Sequence, residues 1–153
     1  MTPIETSRLP KGMHPLTPHL TCNDAKSAID FYKAAFGAEE LIRLPREDGK
    51  LIHACISING SSVMLVDEFP EHGGACPRRL NGTPVTIHLM VQDVDAAFEQ
   101  AITAGATVRT PVQEMFWGDR FGEVEDPFGH RWSIATPTAS KTPEEILQSV
   151  NAI

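Results

Sequence analysis

One pattern is written twice in this chain. The stretches TPHLTCND (17–24) and TIHLMVQD (86–93) share Thr-x-His-Leu-x-x-x-Asp, and 86 − 17 sets an offset of 69 residues between them. The offset persists downstream, where Ala25, Ala28, Ile29 and Tyr32 fall on Val94, Ala97, Phe98 and Ala101. Both sets have the i, i+3, i+4, i+7 spacing of an amphipathic helix. A repeated unit must build the same supersecondary structure twice, and one sheet with one helix cannot cover both sheet faces. The duplication therefore limits the chain to two like units packed together.

The ends of the two helices agree with this reading. Asp24 and Asp93 are suited to N-capping, with a carboxylate at the positive helix terminus, and Gly37 and Gly105 suit the left-handed position that ends a helix. Strand-like segments follow at about 39–45, 50–58 and 62–67, and again at about 106–113, 120–125 and 131–136. Asn59-Gly60 between two apolar runs predicts a two-residue hairpin turn. Asp126-Pro127-Phe128-Gly129 is a longer turn in the corresponding place, since 129 − 60 is again 69.

Each half reads strand, helix, strand, strand, strand. The expected organisation is one α+β domain over 1–153: module one at about 14–68, a crossover at 69–83, and module two at about 84–137. Thr142, Pro143 and Glu145 have the pattern of an N-cap, an N1 proline and a capping-box partner, which predicts a short helix over about 143–152.

Period-two alternation assigns the faces. Val85, Ile87, Leu89 and Val91 are expected on the helix side, and Thr86, His88 and Met90 on the other. In the first half the helix side takes Leu16, Leu20 and Cys22, opposite Thr17, His19 and Thr21. Val63 and Leu65 are placed inward with Met64 and Val66 opposite, and Trp132 and Ile134 inward with Ser133 and Ala135 opposite. The second face mixes hydroxyl, thioether and imidazole groups, a composition suited to lining a ligand cleft.

Composition excludes several classes of function. A net charge of −7 works against a phosphate-backbone binder, so no nucleic-acid partner is expected. No apolar run reaches the roughly 18 residues of a membrane span. The opening MTPIETSRLPKGMHP lacks the apolar core of a secretory signal, so a cytoplasmic location is expected. Cys22, Cys55 and Cys76 are odd in number and show no CxxC spacing, which predicts reduced thiols.

The segments NDAKSAIDFYKAAFGAEE (23–40), VQDVDAAFEQAITAGATV (91–108) and EDPFGHRWSIAT (125–136) resemble the vicinal oxygen chelate superfamily, which includes glyoxalase I, the bleomycin- and fosfomycin-resistance proteins and extradiol dioxygenases. MFWGDRFGEVEDPFGHRWSIA (115–135) with DEFPEHGG (67–74) resembles its PhnB-like subgroup. The resemblance spans about 14–137. It implies two tandem βαβββ modules forming a curved mixed sheet around a cleft, often completed in a homodimer.

In metal-dependent relatives it further implies a divalent ion held by His or Glu on the first and last strand of each module, acting as a Lewis acid. Counting from Asp24, Asp93, Gly60 and Gly129, those positions fall here at Thr17, Met64, Thr86 and Ser133. Neutral hydroxyls and a thioether are poor ligands for such ions. The usual metal site is therefore expected to be absent. His19 and His88, two residues along the same face, are candidates for a displaced metal.

Phe116-Trp117-Gly118-Asp119-Arg120-Phe121 is the densest aromatic cluster. Its rings could stack a planar ligand while Arg120 holds an anionic group, or Trp117 could plug the module interface beside a solvated Asp119–Arg120 pair. Glu123 and Glu125 alternate on the next strand and are expected at the surface. His130 is assigned to the turn, and Arg78 and Arg79 are read as surface charges rather than an anion clamp. His53 and Cys55 share a face without a third group to orient a nucleophile.

Two readings of function follow. One is a small-molecule binder using a metal-free cleft of Thr17, His19, Met64, Thr86, His88, Trp117, Arg120 and Ser133. The other is a metal-dependent lyase, isomerase or dioxygenase using His19 and His88. The missing ligands favour the first, and a scaffold or regulatory dimer without a ligand is the dull third possibility.

Overall fold

The computed structural model describes residues 1–150. The first module runs β1 (His19–Cys22), α1 (Ala25–Phe36), β2 (Glu39–Pro45), β3 (Leu51–Ile58) and β4 (Ser61–Asp67). A crossover containing the one-turn helix α2 (Pro77–Leu80) leads to the second module. That module runs β5 (Thr86–Met90), α3 (Val94–Ala104), β6 (Thr107–Glu114), β7 (Asp119–Glu125) and β8 (Arg131–Pro137). Helix α4 (Pro143–Val150) closes the chain; residues 151 and 152 of the expected helix lie outside the described residues.

Each module forms a four-stranded mixed sheet, ordered β1-β4-β3-β2 and β5-β8-β7-β6. In each, the first and last strands are parallel and the other pairs antiparallel. His19 lies opposite Met64 and His88 opposite Ser133, so the 69-residue offset is also the structural equivalence (88 − 19 and 133 − 64).

Local chemistry sets the element ends. Asp24 Oδ1 accepts from Ser27 N at 3.1 Å and Asp93 Oδ1 from Ala96 N at 3.1 Å, capping α1 and α3. Asn59 and Gly60 both have positive φ (48° and 86°), as a hairpin turn matching the strand twist requires. The capping box of α4 forms reciprocally, Glu145 N to Thr142 Oγ1 and Thr142 N to Glu145 Oε2, both at 3.2 Å.

Helix α1 buries Ala25, Ala28, Ile29, Phe31, Tyr32 and Ala35. Its aromatic residues reach the second module: Trp132 lies 5.4 Å from Tyr32 and 4.8 Å from Phe36, ring centre to ring centre. Each large apolar side chain so buried contributes about 1.5–3 kcal/mol. Beneath them sits Asp126, 1% exposed. Its Oδ2 accepts from Tyr32 OH at 2.5 Å and Trp132 Nε1 at 3.0 Å, and its Oδ1 from the backbone N–H of Phe128 and His130. One carboxylate thus ties α1 to the turn between β7 and β8.

Two further bonds join the modules in a mirrored way. Asn59 Nδ2, in the β3–β4 turn, donates to Met90 O on β5 at 2.8 Å. His130 Nε2, after the β7–β8 turn, bonds to Thr21 O on β1 at 2.9 Å. Thr21 and Met90 are equivalent residues (90 − 21 = 69), so each module's turn caps the same point on the other's open strand. The outer strands β2 and β6 carry register shifts between Glu40 and Ile42 and between Val108 and Thr110.

Two expectations fail at strand ends. Leu16 and Val85, assigned to the helix side, are 90% and 62% exposed. The strands begin at His19 and Thr86, so both residues lie in the approach to a strand, where alternation no longer fixes a face.

Candidate functional site

The helix-facing side of the first sheet is buried and that of the second partly so, and the opposite side carries the groups with chemistry. In β1, Leu20 and Cys22 are buried while His19 and Thr21 face the other way. Strand register groups this outer side of the second sheet into rows: Thr86–Arg131–Glu125, His88–Ser133–Glu123, and Met90–Ala135–Phe121. In the first sheet the corresponding row is His19–Met64–Cys55–Ile42.

The second sheet holds the better organised wall. His88 Nδ1 and Ser133 Oγ share a hydrogen bond of 2.7 Å, and His88 Nε2 lies 3.1 Å from Met90 Sδ. The imidazole stacks on Phe121 at 6.2 Å with 22° between the planes. Phe121 in turn meets the edge of Trp117 at 5.5 Å, and Trp117 meets Phe116 at 5.1 Å. Trp117 Nε1 donates to Asp119 Oδ2 at 3.0 Å, which fixes the indole. A run of π surface therefore extends from His88 to Phe116.

Arg120 does not join it. Alternation turns Arg120 to the helix side, where its Nε and Nη2 donate to the two oxygens of Asp95 on α3, each at 2.8 Å. The paired hydrogen bond lowers the Asp95 carboxyl below its ordinary range and raises the guanidinium. Thr17 also stands apart, ahead of β1, with Oγ1 donating to His14 O at 3.1 Å.

His19 faces His53 at 6.2 Å between ring centres, and desolvation with the charge of His53 lowers its pKa. His19 and Thr86 line one hollow of about 400 Å³ with Pro18, Leu20, Val85 and Arg131. His88 and Met90 border another of about 390 Å³, beside Leu16 and Asn59. Of the eight residues expected in one cleft, the strand register sets His19 beside Met64 and His88 beside Ser133, while Thr86 shares its hollow with His19.

Glu123 and Glu125, expected at the surface, stand in the wall beside Ser133 and Arg131. Glu125 Oε2 accepts from Arg109 Nη1 at 2.9 Å and Oε1 lies 3.6 Å from Arg78 Nη1. The readable signal for this wall was alternation from Ser133, which also places Arg131 on its face; the longer turn at 126–129 hid the register of β7. The four positions counted from the sequence do not share a row: Thr17 lies ahead of β1, Thr86 pairs with Arg131, and Met64 and Ser133 pair with His19 and His88, so the paired first and last strands present two imidazoles beside a thioether and a hydroxyl. Among the described residues no three His, Cys, Asp or Glu side chains come together to hold an ion. Among them, too, no helix is long and apolar enough to cross a membrane.

Comparison with known proteins gives a consistent picture. A family model described as the Glyoxalase/Bleomycin resistance protein/Dioxygenase superfamily matches residues 12–134. An uncharacterized protein of Mycobacterium bovis is 53% identical over 140 residues, spanning 90% of this chain and 92% of its own. The crystal structure of TioX from Micromonospora sp. ML1 superposes with a TM-score of 0.64 at 28% identity, covering 80% of this chain and 97% of that one. A Bacillus cereus structure titled a putative 3-demethylubiquinone-9 3-methyltransferase, PhnB protein, superposes at 0.63 with 19% identity, over 80% and 99% of the two chains.

Proposed function

Because the chain belongs to the glyoxalase/bleomycin resistance protein/dioxygenase superfamily, we propose that it binds a small organic molecule against the outer sheet faces without a chelated metal. The observation that carries this reading is the donor set. Where the first and last strands of each module pair, this chain presents His19 beside Met64 and His88 beside Ser133, only two good metal ligands in all, and Ser133 is committed to His88. What the wall offers instead is π surface, from His88 through Phe121 to Trp117, suited to stacking a flat ligand.

A homodimer belongs to the same proposal. Ile42 and Leu44 on the outer strand β2 are 45% and 41% exposed, and Met90 is 41% exposed. A second copy laid over these faces would bury them and deepen the hollows into a closed pocket.

The test uses the intact chain purified without chelators. Elemental analysis is expected to find no stoichiometric divalent metal, both before and after His19→Ala and His88→Ala. Flat aromatic compounds are expected to quench Trp117 fluorescence equally with and without EDTA, and Phe121→Ala to weaken that binding. A stoichiometric ion lost in the double histidine variant, with ligand binding that requires it, would sink the reading.

A further inference from the structure

Two arginines meet on one carboxylate, and a third lines the same hollow, where the crossover meets the end of the second sheet. Arg78 Nε and Nη2 donate to Pro127 O at 3.3 and 2.8 Å, which holds its guanidinium in place over Glu125. Arg109 binds the other oxygen of Glu125. Arg131 completes the wall of the same hollow, of about 230 Å³, beside Asn81. It has no hydrogen-bond or ion-pair partner for its side chain among the described residues, while both its neighbours share Glu125.

Three cations and one anion leave this hollow with a formal charge of +2 (3 − 1), in a chain whose net charge is −7. Arginine presents a planar fork of donors that matches two oxygens of a carboxylate, phosphonate or phosphate. Arg131 also lines the neighbouring hollow of about 400 Å³, whose other walls include Pro18, Leu20, Val85 and Ile87. Its open guanidinium therefore stands at the junction of a cationic basin and an apolar hollow.

We propose that Arg131, flanked by Arg78 and Arg109, binds the anionic head of a small organic acid whose apolar body occupies the adjoining hollow. This adds an anion-binding end, in the row next to His88 and Ser133, to the small-molecule reading above and rests on that reading. Glu125 is the internal competitor: it occupies Arg78 and Arg109 in the free protein and limits how strongly the basin draws an anion.

Calorimetric titration with phenylphosphonate and with inorganic phosphate tests the idea. The aryl compound is expected to bind tighter than phosphate, because only it reaches the apolar hollow. Arg131→Gln is expected to weaken both by about tenfold or more, the loss of a charge-assisted pair. Arg131→Lys is expected to restore part of the affinity, since an ammonium lacks the fork. Glu125→Gln, which removes the competitor, is expected to tighten both.

Circular dichroism checks that each variant folds, and Arg78→Gln serves if Arg131→Gln does not. Wild-type affinity for phenylphosphonate in Arg131→Gln and Arg78→Gln overturns the proposal, as does failure of both anions to bind. Benzyl alcohol, an uncharged probe followed by tryptophan fluorescence, separates the two claims. If it binds while the anions fail, the basin is wrong and the binding reading stands; if nothing binds, both fall.

Discussion

Asp126 offers the sharpest test of how the two modules are held together. Replacing it with Ala strands four donors: Tyr32 OH, Trp132 Nε1, and the N–H groups of Phe128 and His130. Tyr32 and Trp132 are 0% and 1% exposed, so water cannot replace the lost acceptor for either. Each buried unsatisfied donor costs about 1–3 kcal/mol, and the two turn amides, closer to solvent, add less. The expected loss is about 4 kcal/mol or more, a large part of the roughly 5–15 kcal/mol that holds a domain folded. Tyr32→Phe removes a single bond to a charged acceptor and is expected to cost about 2 kcal/mol. The double variant is expected to cost clearly less than the sum, because the Phe ring has no donor left to strand. Urea unfolding followed by the fluorescence of Trp132 supplies all three values. A loss below about 1 kcal/mol for Asp126→Ala, or strict additivity in the double variant, would refute the argument.

Stability is also expected to fall at alkaline pH. Burial and the Asp126 carboxylate hold the Tyr32 phenol well above its ordinary value, so the unfolded chain ionises near pH 10 while the folded chain keeps its proton. The stabilisation is complete below that pH and shrinks above it by about 1.4 kcal/mol per pH unit for one proton. Cys22, raised by burial and then by Asp126, joins from about pH 9, and Tyr32→Phe should make the decline shallower by one proton in pH-dependent urea titrations. Gly118→Ala is expected to lower the melting temperature by several degrees: φ is +105° and the added Cβ would collide with the Ala139 carbonyl oxygen. Asn59→Ala should cost about 1 kcal/mol by uncapping Met90 O, measurable as a shift in the urea midpoint.

The fold was legible because its signals are local and doubled. A carboxylate before each helix, a glycine after it, and Asn-Gly between apolar runs each act within a few residues, and the offset let one half check the other. The wall was legible only where alternation could be counted from a fixed point. Ser133 and His88 follow from Gly129 and Asp93 in this way. Arg120 was assigned to the ligand side because it neighbours Trp117 in sequence, but consecutive strand residues face opposite ways, and its partner Asp95 lies on a helix 25 residues earlier. The grouping of Arg78, Arg109 and Arg131 depends on where the crossover returns to the second sheet. No short-range pattern encodes that return.

The mirrored turn contacts and the shifted outer strands bear on self-association. Bare sheet edges template further strands and so invite filaments and amyloid-like stacking. Here β1 and β5 are stopped by the opposite turn, while β2 and β6 are kinked by their bulges and interrupted by Pro45 and Pro111. Edge addition is thereby disfavoured at all four borders.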